Sequence, residues 1–82
     1  MITIEIKDAN KVAEGLAELE IFCDEEGLKE FQRQLNFLLA GESHIHMATP
    51  SWAGHELDEK VMGEGNTIVN QLTIILARNT EM

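Results

Sequence analysis

One segment of this chain carries a helical period, the segments around it carry a strand period, and that contrast decides the class of fold. Leu28, Phe31, Leu35, Leu38 and Leu39 fall on one stripe of a helix of about 3.6 residues per turn. Asp24 is a favoured N-cap, and Glu25 and Glu26 complement the positive end of the helix dipole. Gly41 suits the C′ position that stops a helix, so the spacing predicts one from Asp24 to Ala40. Glu25 with Lys29 and Glu30 with Arg33 are ion pairs for its wet side. Phe37 points away from the apolar stripe and is a candidate contact residue.

The strand segments alternate with period two. Ile2 to Lys7 is the first. In the second, Leu19, Ile21 and Cys23 face one way and Glu18, Glu20 and Phe22 the other, after a loop or frayed turn that runs through Gly15. Ser43 to Ala48 reads as a third strand with Ile45 and Met47 inward and His44 and His46 outward. Thr67 to Ala77 reads as the last, with Leu72, Ile74 and Leu76 inward. Thr49 to Asn66 is one long ordered loop, in which Gly63, Gly65 and Asn66 suit a tight turn feeding the last strand. The order β-β-α-β-β predicts an α+β domain: an antiparallel four-stranded sheet with one helix packed on one face. The helix stripe would then cover Ile4, Ile21, Ile45 and Ile74. Phe22, His44, His46, Thr73 and Ile75 would occupy the other, uncovered face, a surface for a partner or for a second copy.

With 82 residues, residues 1–82 form a single domain that can build one modest core. Cys23 is the only cysteine, so no intrachain disulfide supports that core, and a lone thiol points to a reducing compartment. Cys23 itself reads as a small buried hydrophobe closing a strand. No secretion signal follows Met1, and no apolar run approaches the ~20 residues of a membrane span. The chain therefore reads as cytoplasmic and complete. Fifteen acidic residues against six basic ones give a net charge of −9. That charge repels nucleic acid and anionic membranes and favours a basic protein partner, although it also serves solubility.

All three histidines, the only tryptophan and the only proline lie between His44 and Leu57. His44 and His46 leave the same face of a strand about 6–7 Å apart. With His55 or Glu56 folded back they could form a two-histidine-plus-carboxylate metal site. The plainer reading pairs them with cross-strand threonine or glutamine and packs them edge-on against Phe22. Trp52, on the turn Pro50 to Gly54, either lids the end of the core or anchors an interface. Glu56, Asp58 and Glu59 read as a solvated acidic edge. No phosphate-binding glycine loop, nucleophile elbow or metalloprotease helix motif occurs, and Ser51 near His55 is not a nucleophile–base geometry. Neither catalysis nor a cofactor is expected.

The helix end Leu38-Leu39-Ala40-Gly41, the H-x-H strand, Thr49-Pro50-Ser51-Trp52-x-Gly54-x-Glu56-Leu57 and Asn66-Thr67-Ile68-Val69-Asn70-x-Leu72-x-Ile74 together resemble the thirty-second immunity-protein family of bacterial polymorphic toxin systems. The resemblance covers roughly residues 17 to 77. The order and spacing of these motifs are more specific than any one of them. It implies a small cytosolic, non-enzymatic protein that binds and neutralises a cognate toxin made by neighbouring genes. The expected partner-binding residues are His44, His46, Trp52, Glu56, Asp58 and Glu59. The alternatives are a small histidine-centred metal-binding protein and a homodimeric scaffold using the uncovered sheet face.

Overall fold

A computed structural model describes residues 1–77. It is an α+β fold with strands β1 (Ile2–Lys7) and β2 (Glu18–Cys23), helix α1 (Glu25–Leu39), and strands β3 (His44–Ala48), β4 (Thr67–Ile68) and β5 (Gln71–Ile75). Short 3-10 turns at Ala9–Glu14 and Pro50–Trp52 interrupt the connections. No helix among the described residues is long and apolar enough to cross a membrane.

The expected single four-stranded sheet is replaced by two antiparallel sheets, one ordered β2-β1-β4 and the other β3-β5. The reason lies in the segment read as one last strand. Its first part pairs with β1, a ladder extended by the bond from Val69 N to Ile4 O at 2.8 Å. Its second part pairs with β3, beginning where Thr49 N donates to Asn70 O at 2.9 Å. Val69 and Leu72 both pack on the core. Those positions have opposite parity, so no straight strand can bury both, and the chain bends between them.

The core is small: Ile2, Ile4, Met47 and Leu57 are fully enclosed, with Phe31, Val69 and Leu72 against them. Ile45 and Leu38 are buried beside this cluster. Helix α1 begins as expected, with the Asp24 carboxylate accepting from Gly27 N at 2.7 Å. It ends in a Schellman arrangement, Glu42 N to Phe37 O at 3.0 Å and Gly41 N to Leu38 O at 3.3 Å, with Gly41 at φ 121°. Its roll differs from the expected one. The flank carrying Gly27, Phe31 and Leu38 faces inward, and a Cβ on Gly27 would overlap the Met1 carbonyl. That close approach draws the first turn onto β1 and turns Leu28, Leu35 and Leu39 outward, 60%, 37% and 85% exposed. Ile21 and Cys23, both expected inside, are exposed on the strand that α1 leaves partly uncovered. Phe37 is exposed as expected, with the Arg33 guanidinium 5.5 Å from its ring centre.

Strand β1 is buried on both faces, which its alternating sequence does not announce. Thr3 and Glu5, with no exposed surface, lie under the loop that leads into β4. The Glu5 carboxylate accepts from Met62 N (2.9 Å), Gly63 N and Asn66 Nδ2 (both 3.0 Å) and Thr3 Oγ1 (2.5 Å). Burial alone would push its pKa up, but these donors outweigh burial and hold it at about 2. Asn66 also donates to Glu20 Oε1 at 2.9 Å, so one amide ties the loop to both β1 and β2. The expected tight turn is present, closed by Asn66 N to Gly63 O at 3.1 Å.

Candidate functional site

The β3-β5 register sets His46 opposite Thr73 and His44 opposite Ile75. Ile45 and Met47 turn into the core, so period two sends both histidines to the outer face. There the two rings meet edge to face with centroids 4.8 Å apart. Nδ1 of His46 lies 2.8 Å from Thr73 Oγ1 and 3.2 Å from Gln71 Nε2, and Nδ1 of His44 lies 2.9 Å from Ser43 Oγ. Cross-strand pairing with threonine and glutamine is therefore present. Phe22 is not the edge-on partner, because it sits half-buried in the other sheet near Gly63. Ile75, 70% exposed, completes an open, mixed apolar and imidazole surface. Among the described residues no three His, Cys, Asp or Glu side chains converge as a metal-ligand set.

The turn that follows β3 is held by an unusual number of backbone contacts for so short a segment. Thr49, fully buried, is bound to Asn70 twice, through its N–H and through Oγ1 at 2.8 Å. Pro50 opens the 3-10 turn, where its missing N–H costs nothing. Trp52 N and Gly54 N both donate to Thr49 O at 2.9 Å. Gly54 passes so close to the Ala48 carbonyl that a Cβ there would collide with it. Between them Ala53 takes the left-handed conformation at φ 63°, which a side chain rarely adopts. At the tip of this frame the Trp52 side chain is 58% exposed, so the indole is not a lid on the core.

The three acids expected at the partner surface have a structural engagement that the sequence did not reveal. Glu56 accepts from Ala48 N at 3.3 Å and from His55 N at 3.1 Å. Asp58 accepts from Ile2 N at 2.9 Å. Glu59 accepts from Ser51 N, and hydrogen bonding from the Ser51 side chain and then its backbone holds the carboxyl below the usual range. Glu56 and Asp58 thus stand in for missing strand partners of β3 and β1, and Glu59 ties down the Pro50–Trp52 turn. Residues 62–66 cover Glu5, and Glu56 and Asp58 line an open groove of about 310 Å³ beside Glu26, Gly27 and Glu30 of α1. In that groove, Arg33 and Gln34 bind Glu30 and hold its carboxyl at about 2. Of the six expected residues, His44 and His46 lie on the open sheet and Glu56 and Asp58 line the acidic groove. Trp52 stands on the turn that lies between these two pairs in sequence, and Glu59 reaches that turn through its bond to Ser51 N.

The pairings of Thr49 with Asn70 and of Glu5 with the loop at 62–66, which hold this arrangement together, were not legible in the sequence. The paired residues lie 21 to 61 positions apart, beyond any local pattern. No protein-family model matches the chain, and comparison with curated proteins and with solved structures gives no significant match. The immunity-family resemblance rests on the residues quoted for it.

Proposed function

We propose that this chain is a non-enzymatic immunity protein that binds and neutralises a cognate bacterial toxin, docking it through the Trp52 turn and the open face of β3 and β5. The observation that carries this reading is a large aromatic side chain, 58% exposed, on a turn whose backbone is fixed from both sides. An exposed indole on a rigid support loses little entropy on binding, and tryptophan is among the residues that most often dominate interface energies. The strained Ala53 beside it supports the same conclusion, because an unfavourable backbone conformation persists where the surroundings impose it. The net charge of −9 and the acidic groove favour a basic partner and fast, steered encounter. In this reading the protein acts in the cytoplasm and needs neither cofactor nor metal, and it binds neither nucleic acid nor membrane.

The test is protection of growth. Cells expressing a cognate toxin domain, which the resemblance places among the products of neighbouring genes, should survive when the chain is co-expressed and should lose that protection with Trp52→Ala. Purified protein should show only background turnover of esters, phosphodiesters and peptides. Failure to protect, or a turnover abolished by His46→Ala, would overturn the proposal.

A further inference from the structure

The outer edge of β2 and the leucines that α1 turns outward form one continuous feature that no described residue covers. The bond from Asp24 N to Met1 O, followed along the β1-β2 register, aims the backbone groups of Phe22, Glu20 and Glu18 at β1. Ile2 O and Ile4 O confirm the phase, because they accept from Asp58 and Val69 on the opposite side of β1. The N–H and C=O of Leu19, Ile21 and Cys23 therefore point outward, and β2 is an edge strand with no partner there among the described residues. The side chains of Leu19 and Ile21 are 57% and 44% exposed on the sheet face that α1 covers. Glu26, Gly27 and Glu30 place one flank of α1 against the loop near His55, so the opposite flank, with Leu28, Leu35 and Leu39, lies on the β2 side.

We infer that this edge is a homodimer interface in which β2 of two copies pair antiparallel about a two-fold axis through Ile21. Charge within the strand sets the register. Centred on Ile21, Glu20 meets Phe22 of the second copy and Leu19 meets its Cys23, and Glu18 meets only Asp24, which lies beyond the strand and is paired with the N-terminal ammonium. Centred on Leu19, Glu18 and Glu20 would face each other twice inside the strand, and like charges directly opposite destabilise a ladder. In the Ile21 register Ile21 exchanges both backbone bonds with its own copy. The result is a continuous sheet ordered β4-β1-β2-β2-β1-β4, with the outward leucines of both helices brought together over the seam.

The size of the patch fits a second copy. Five large aliphatic side chains between 37% and 85% exposed exceed the scattered apolar residues of an ordinary surface. Together with the strand edge they offer an apolar patch of several hundred Å², below the roughly 800 Å² per partner of a standard interface and of the size expected for a weak, reversible dimer. An unpaired, apolar edge left open in a soluble chain is also a template for aggregation, which closed pairing removes. The interface lies across β1 from the β3-β5 sheet, so it leaves the Trp52 turn accessible and does not depend on the proposed function.

Electrostatics separates the two kinds of association. Each copy carries −9, and the register brings Glu18 toward Asp24 of the second copy at each end of the ladder. Salt screens that repulsion, so the dimer should tighten as ionic strength rises, whereas docking of a basic partner should weaken. Sedimentation of the purified chain from micromolar to near-millimolar concentration should show a reversible dimer with this salt dependence. Ile21→Lys should raise its Kd by at least about tenfold with the circular dichroism spectrum retained, since a charge enters a desolvated seam.

A second variant keeps the test decisive if Ile21→Lys does not fold. Opposite residues in a hydrogen-bonded pair have Cα atoms about 5.5 Å apart, within disulfide reach, whereas Cys23 and its copy would be about 14 Å apart. Leu19→Cys should therefore form a reducible covalent dimer with native Cys23, and the unaltered chain should not. A strictly monomeric protein overturns the inference. So does a dimer that resists Ile21→Lys, or one lost on Ile75→Lys instead.

Discussion

Ile2 and Asp58 hold each other at both backbone groups: Asp58 N donates to Ile2 O at 2.7 Å, and the Asp58 carboxylate accepts from Ile2 N at 2.9 Å. A loop residue thereby acts as a strand partner on the side of β1 that β4 is too short to reach. The loop carrying Glu56, Leu57 and Asp58 is stitched to the core by this exchange and by Leu57 N to Ala48 O at 3.2 Å.

The exchange predicts an ordered effect of substitution at Asp58. Asp58→Ala leaves Ile2 N without its acceptor and should cost about 1–3 kcal/mol, while Asp58→Asn, which can still accept, should cost less. Denaturant unfolding measures both. Equal effects would mean that the carboxylate does not hold Ile2.

Glu5 predicts a specific acid lability. Its carboxyl is held at about 2 against an ordinary 4.5, so its ionised form stabilises the fold above the ordinary value. That stabilisation, up to about 3 kcal/mol at roughly 1.4 kcal/mol per pKa unit, should drain away as pH falls from about 5 to about 2. Glu5→Gln, which places an amide donor among donors, should be clearly destabilising at neutral pH and nearly equal to the unaltered chain near pH 2. A difference that does not shrink with acidification would contradict the buried carboxylate.

Gly27 reverses a familiar sign. Glycine inside a helix usually costs about 1 kcal/mol relative to alanine, so Gly27→Ala would ordinarily stabilise. Here the new Cβ would overlap the Met1 carbonyl, and neither backbone can yield cheaply. Unfolding measurements should show a loss of stability, and a gain would mean that α1 does not approach β1 so closely.

Much of the fold was legible because local chemistry fixes local elements. Asp24 capped the helix, Gly41 ended it, and the alternation of Ile45 and Met47 with His44 and His46 gave β3 its two faces. The roll of the helix was not legible, because the close contact at Gly27 is a tertiary event with no periodic signature. Periodicity nominates Leu35 and Leu39 alongside Leu38, yet only Leu38 is buried. Leu38→Ala should cost about 2–5 kcal/mol, whereas Leu39→Ala, measured at concentrations where the chain is monomeric, should stay within about 0.5 kcal/mol. The candidate site was legible as a stretch of sequence but not as a surface. The acids at 56, 58 and 59 read as a solvated edge because their acceptor roles involve backbone N–H groups of Ala48, Ile2 and Ser51. Such partners leave no trace in side-chain spacing.

The central claim is that Trp52 anchors a toxin on a frame that does not need the indole to fold. It is tested most directly by titration calorimetry of a cognate toxin domain, sought among the products of neighbouring genes, with the unaltered chain and with Trp52→Ala. The account predicts that Trp52→Ala keeps the same melting temperature and weakens binding by more than about 1 kcal/mol, or several-fold in Kd. Unchanged affinity, or a variant that fails to fold, would contradict it.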